Sequence, residues 1–193
     1  MYIITISGLS GSGKTFLAKR INEYFTDSII ISLDNYCFDN EYLYIKYGKI
    51  NFSHPNAFDY RLFLNNIEEL KERGYTHLPQ FDIKNNEKSK NQLVYKSKIL
   101  IVEGMYAQRY CNEIDTIDIF VKVDLDIALI RKIQRDRKER NRTLNAILNE
   151  HQFNTRETYI KYLIKQENQS KYIFDNNYRI NIEEVITQLK KEF

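Results

Sequence analysis

Apolar residues fall into short continuous runs alternating with helical stripes. Tyr2 to Ile6 is a β-branched run closed by Gly8, and Ser28 to Leu33 (Ser-Ile-Ile-Ile-Ser-Leu) is a second, with Asp34 at its exit. Lys98 to Val102 and Ile117 to Val123 are further runs of the same kind, the first leading into Glu103-Gly104. Between them, Phe16, Leu17, Ile21, Tyr24 and Phe25 lie on one helical face, which predicts a helix from about Lys14 to Tyr24. Phe58, Leu62, Phe63, Ile67 and Leu70 form a second stripe, ended by Gly74. Later helices are expected over Asp126 to Arg140, Thr143 to Gln152 and Arg156 to Glu167. A short strand near Arg179 to Ile182 and a helix running to Lys190 close the pattern. Strands that are apolar throughout suit a parallel sheet covered on both faces. The expectation is therefore an α/β fold, a three-layer αβα sandwich with a mostly parallel central sheet. Ligands bind such sheets outside the carboxyl ends of the strands, where residues 7–14, Asp34 and Glu103 would gather.

Composition narrows the picture. The 193 residues suit one domain, 1–193, with a small lid and no linker or internal repeat. Cys37 and Cys111 form neither a disulfide framework nor a zinc-ligand spacing, so both read as reduced thiols of a cytoplasmic chain. The N-terminal run lacks the basic start of a signal peptide, and no apolar run approaches the ~20 residues of a membrane helix. No membrane partner is expected. The net charge of +3 is weak, but it is unevenly placed. Arg131 to Arg142 holds seven basic and two acidic residues, a net +5 that leaves −2 for the rest of the chain. If helical, Arg131, Arg135 and either Lys138 or Arg142 share a face. A solvated face with ion pairs, a cationic surface for transferring phosphates and a nucleic-acid contact all fit such a segment. The chain also carries a phosphate loop, which favours the second, and no nucleic-acid partner is expected.

That loop is Gly8-Leu-Ser-Gly-Ser-Gly13-Lys14-Thr15, which satisfies G-x-x-x-x-G-K-[ST] and stands between a predicted strand and a predicted helix. Gly8, Ser10, Gly11, Ser12 and Gly13 let backbone N–H groups cradle phosphate oxygens. Lys14 supplies a mobile cation, and the Thr15 hydroxyl is placed for Mg²⁺. Asp34 could accept the proton of an attacking hydroxyl, hold a metal-bound water, or cap a turn. Glu103, an acid closing an apolar strand, could support the same metal or merely mark a strand exit. His54, before Pro55, could touch substrate or cap a turn; His77 and His151 have no evident partner.

The chain resembles the uridine kinase group of the phosphoribulokinase/uridine kinase superfamily of P-loop kinases. The matching stretches are Gly8 to Thr15, Ser32-Leu-Asp-Asn-Tyr36, Asn51-Phe-Ser-His-Pro-Asn-Ala-Phe-Asp59, Leu78-Pro-Gln-Phe-Asp82, Ile101-Val-Glu-Gly104 and Arg131-x-x-x-Arg-Asp-x-x-x-Arg-Asn-Arg142. The resemblance implies a P-loop NTPase-type fold, ATP and Mg²⁺ as cofactors, and transfer of the ATP γ-phosphate to the 5′-hydroxyl of uridine or cytidine. It implies Asp34 as general base, and Lys14, Arg135 and Arg140 as catalytic cations. Thr15, Asp34 and Glu103 would surround the metal, and residues of about 126–150 would form a helical lid. The implied acceptor site comprises Tyr36, Phe52, Ser53, His54, Phe81, Asn86, Lys132 and Glu150. Such kinases are often homotetramers, so a homo-oligomer is one prospect.

The departures concentrate at the acceptor. Cys37, Phe81 and Ser53 stand where relatives carry Tyr, Tyr and a ribose-holding acid; Asn86 stands for a base-reading His, Lys132 for Arg and Glu150 for Gln. One Ser hydroxyl cannot reproduce the charge-assisted bonds of a carboxylate to a diol, so a different small acceptor, such as another nucleoside, a sugar or a vitamin, stays in view unless Glu150 supplies the acid. A regulatory GTPase would need an Asn-Lys-x-Asp reader, which the chain lacks. A nucleotide-gated binding protein without kinase activity would need no proton acceptor at Asp34.

Overall fold

The structure, a computed structural model, describes residues 1–82, 84 and 87–193, with Glu87 described by its backbone alone. The apolar runs become a five-stranded sheet: β1 (Tyr2–Ser7), β2 (Ser28–Ser32), β5 (Ile99–Glu103), β6 (Ile117–Lys122) and β7 (Tyr172–Asp175). Their order is β2-β5-β1-β6-β7, and all four pairings are parallel. Successive side chains of a strand face opposite ways, so each strand feeds two cores. Leu100 and Val102 of β5 join Ile3 and Ile31 on one face, where α3 (Tyr60–Glu72) contributes Phe63, Ile67 and Leu70. Ile99 and Ile101 join Ile4 and Ile6 on the other. There α1 (Lys14–Tyr24) supplies Leu17 and Ile21, and α9 (Ile182–Leu189) supplies Val185, Ile186 and Leu189. This double burial yields the expected three layers.

Two elements had no clear signature. α2 (Asn40–Tyr47) is a short helix capped by Asp39, whose carboxylate accepts from Tyr42 N. β3 (Tyr75–Asp82) and β4 (Glu87–Tyr95) form an antiparallel hairpin outside the main sheet. β4 reads Glu-Lys-Ser-Lys-Asn-Gln-Leu-Val-Tyr, too polar to announce a strand. Pro79 coincides with a register shift between Leu78 and Gln80, as expected of a residue with no N–H for the ladder.

Two expectations are corrected. The last strand is Tyr172–Asp175, not residues 179–182. Ile180 is buried, but its N–H is spent on the Asn176 side chain, and Asn181 accepts from Glu184 N as the cap of α9. The break expected between Gln152 and Arg156 is also absent. α6 (Leu144–Glu150), α7 (Arg156–Thr158) and α8 (Ile164–Gln169) form one continuous helical rod. Its joints are two wide i→i+5 segments, His151–Thr155 and Tyr159–Leu163. The basic helix forms as expected, as α5 (Leu125–Glu139). α4 (Ala107–Tyr110) is a single turn beyond β5. Among the described residues, no helix is long and apolar enough to cross a membrane.

Candidate active site

β1, β2 and β5 are parallel neighbours, so their carboxyl ends deliver residues 7–14, Asp34 and Glu103 to one edge of the sheet. Asp34 lies in the helical turn Leu33–Tyr36 that follows β2. The turns at Gly11 and Gly13 need left-handed backbone (φ +91° and +97°), which glycine adopts without strain. Both also permit close approach: a Cβ at Gly11 would lie 2.3 Å from the Ala128 carbonyl of α5, and one at Gly13 would lie 2.5 Å from Asn176 Nδ2. The Ser12 hydroxyl is buried and, among the described residues, has no hydrogen-bond partner. A buried donor left open at the mouth of a glycine cradle suits a phosphate oxygen. The residues present therefore fit a nucleoside triphosphate.

Lys14 is buried and donates to the Leu9 carbonyl at 2.7 Å. Burial holds its ammonium below the ordinary lysine range, while Glu103 and Asp34 pull the other way. Glu103 is 5% exposed and accepts from the Ser32 hydroxyl at 2.7 Å and from Thr15. Burial, and then the Asp34 charge, push its carboxyl up, with Lys14 opposing. A divalent cation between two carboxylates relieves such repulsion. A hydroxyl and two acids are a donor set for Mg²⁺, which keeps several of its waters.

A cleft of about 270 Å³ joins these groups to the predicted acceptor residues. Its lining includes Ser10, Lys14, Thr15, Asp34 and Glu103 together with Phe52, Ser53, Phe81, Lys132 and Glu150, and also Arg135, Arg140 and Arg142. The Phe52 and Phe81 rings stand 6.3 Å apart. The cleft also includes Cys37, Phe58, Lys84 and Met105. A wider groove of about 900 Å³, by Tyr42 and Arg109, contains none of the phosphate-loop residues.

Two predicted acceptor residues lie outside the cleft. Tyr36 is buried in the core, its hydroxyl donating to Asn66 Oδ1 at 3.0 Å and its ring edge-on to Phe63. His54 lines a separate hollow, where Nδ1 accepts from Asn56 N at 3.1 Å and Nε2 meets the Tyr162 hydroxyl at 3.1 Å. Asn86 lies outside the described residues.

The basic helix is organised by an acid that sequence reasoning passed over. Asp136 is wholly buried; Arg135 bonds its Oδ1 at 2.8 Å, Arg140 approaches Oδ1 at 3.4 Å and Arg142 approaches Oδ2 at 3.5 Å. Arg135 also donates to Ser10 Oγ at 3.1 Å, joining α5 to the phosphate loop. The i,i+4 spacing of Asp136 and Arg140 was the available signal. Arg131, expected on the same phosphate-facing surface, instead bonds the carbonyls of Asn176 and Asn177.

Glu150 receives Lys132 Nζ at 2.6 Å and Arg142 Nη1 at 2.5 Å, and the Ser53 hydroxyl donates to it at 3.4 Å. Burial works to raise its carboxyl, but Lys132 and Arg142 outweigh that and hold it below the ordinary range. The folded state therefore prefers the ionised form. The stability this adds is complete above the unfolded carboxyl value of about 4.3 and is lost as pH falls through the lower folded value. Urea unfolding from about pH 7 down to about pH 3 should show an acid loss that Glu150→Gln diminishes; unchanged acid profiles would contradict this.

The model of the phosphoribulokinase/uridine kinase family matches residues 3–183. A uridine kinase from Borrelia garinii subsp. bavariensis is 36% identical over 168 residues, covering 83% of this chain and 80% of that protein. Two solved structures share the fold. One is described as a possible uridine kinase from Bacillus stearothermophilus (TM-score 0.67, 17% identity, covering 90% of this chain and 88% of that one). The other is phosphoribulokinase from Rhodobacter spheroides (TM-score 0.66, 17% identity, covering 90% and 69%).

Proposed function

Because the chain belongs to the phosphoribulokinase/uridine kinase family and is a P-loop kinase, we propose that it transfers the ATP γ-phosphate to the 5′-hydroxyl of uridine or cytidine. The observation that carries this is the single cleft uniting Lys14, Thr15, Asp34 and Glu103 with Ser53, Phe81, Lys132 and Glu150. Asp34 takes the proton of the acceptor hydroxyl. Lys14, Arg135 and Arg140 offer positive charge where transferring phosphate oxygens need it, and Asp136 fixes the two arginines in place. Thr15, Asp34 and Glu103 would hold Mg²⁺, which when bound neutralises charge on the phosphates. Phe52 and Phe81 flank the acceptor and exclude water. Glu150, brought beside Ser53 by the helical rod, supplies the acid that residue 53 lacks. In this reading the chain works as one cytoplasmic domain with residues 126–150 as a lid, needs no nucleic acid, and is open to homo-oligomer formation.

One observation favours a second reading, a kinase of another small hydroxyl compound. Glu150 meets the cleft with both oxygens already held by cations, unlike a free carboxylate waiting for a diol. Turnover of the purified protein with ATP, Mg²⁺ and a panel of nucleosides, sugars and vitamins decides between them. Phosphorylation of uridine or cytidine is expected. Turnover of another acceptor alone would replace the pyrimidine reading, and ATP binding without transfer to any would leave a nucleotide-gated binder.

A further inference from the structure

The segment after β7 touches the phosphate loop and α5 at once. Asn176 is nine-tenths buried, and both ends of its side chain are used. Nδ2 donates to the Ser12 carbonyl at 2.7 Å, and Oδ1 accepts from Ile180 N at 2.9 Å. Its own N–H donates to the Lys122 carbonyl at 2.9 Å, at the exit of β6. Arg131 of α5 donates through Nη1 to the Asn176 carbonyl at 2.7 Å and through Nη2 to the Asn177 carbonyl at 3.0 Å. Asn176 is thus held from three sides, and its amide is presented to one atom of the loop.

That atom belongs to the peptide joining Ser12 to Gly13. A trans peptide is planar, with C=O and N–H pointing in opposite directions, so holding the Ser12 carbonyl also sets the direction of the Gly13 N–H. The constraint matters here because Gly13 is the residue most free to let that peptide turn over. We propose that Asn176 is a positioning residue for the nucleotide phosphates. It holds the Ser12–Gly13 peptide with its N–H turned into the cradle, and Arg131 ties that setting to α5. The effect is preorganisation: the loop need not order its peptide when the phosphates arrive.

The inference rests on the loop's being the ATP site, and the experiment separates the two. ATP affinity is titrated with a fluorescent ATP analogue, alongside KM for ATP and for the acceptor. Asn176→Ala is expected to weaken ATP by roughly five- to tenfold, the effect of about one ordering hydrogen bond, while the acceptor KM stays within about twofold. Asn176→Asp keeps the shape and the acceptor for Ile180 N but loses the donor to Ser12. It should fold even if the alanine variant does not, and should weaken ATP likewise. Asn177→Ala is the control: the neighbouring Asn177 side chain accepts from Asp124 N at 2.8 Å and donates to Asp175 Oδ2 at 3.1 Å rather than to the Ser12 carbonyl, so ATP affinity should not move. Unchanged ATP affinity in the Asn176 variants, an equal loss in Asn177→Ala, or an equal rise in the acceptor KM would overturn the proposal. An unaltered protein that binds no nucleotide would overturn the ATP reading itself.

Discussion

Asp34→Asn is expected to lower kcat by about 10²- to 10⁴-fold while ATP affinity stays within about twofold of the unaltered protein. The amide has the carboxylate's size and can still offer one oxygen to a metal-bound water. It cannot take a proton from an acceptor hydroxyl. Asp34 lies in the turn after β2, across the sheet edge from Lys14 and Glu103, so its loss leaves the phosphate cradle built by β1 and α1 intact. Initial rates with the active acceptor, together with titration of an ATP analogue, separate the steps. Retained turnover would remove Asp34 as the base. Recovery of turnover on raising Mg²⁺ would assign its effect to the metal.

Glu150→Ala is expected to cost about 3 kcal/mol of stability, and with it about 6–12 °C in Tm. The Lys132 ammonium side chain is 5% exposed and loses its partner at 2.6 Å, while Arg142 loses one at 2.5 Å. Truncating one member of a buried pair strands the other, at ~3–5 kcal/mol; the low end applies because the Glu150 side chain keeps one-fifth of its exposure. The same change should raise the acceptor KM by about tenfold or more, since a site that bonds hydroxyls discriminates through those bonds. The double variant Lys132→Met/Glu150→Gln distinguishes the two effects. Removing both charges should recover most of the stability and none of the acceptor affinity. Thermal unfolding and acceptor KM check it; recovery of both would make Glu150 a structural partner of Lys132 alone.

Much of this site was legible in the sequence because the groups proposed for phosphate chemistry sit at strand ends. Apolar runs mark buried strands, and parallel strands place their exits side by side, so Gly8 to Thr15, Asp34 and Glu103 could be gathered without coordinates. The acceptor side was less legible. Tyr36 follows Asp34 by two residues, yet the helical turn at Leu33–Tyr36 carries it into the core against Asn66. His54 adjoins Ser53, yet its ring faces Tyr162 while Ser53 meets Glu150 and Thr155. Neighbours in sequence part where the backbone turns, and short-range pattern does not say which way a side chain goes.

The hairpin β3–β4 escaped for a different reason. It lies apart from the main sheet, and β4 carries polar residues through most of its length, so hydrophobic periodicity had little to register. The strand expected at residues 179–182 does not form, although Ile180 and Ile182 resemble strand residues by composition. What excludes them is the side chain of Asn176, which takes the Ile180 N–H that a ladder would need.

By itself the sequence determined the layers of the fold, the phosphate loop with the acids at the neighbouring strand ends, and the position of a strongly basic helix. These follow from local periodicity and from motifs whose spacing is the chemistry. Only the tertiary structure decided how the cations of that helix are used: Arg135 on Ser10, Arg131 on the carbonyls after β7, Lys132 on Glu150, with buried Asp136 holding Arg135, Arg140 and Arg142 together. The physical reason is that a charge takes its partner from whatever packing brings within about 4 Å and shields from water, and these partners lie up to 125 residues away along the chain.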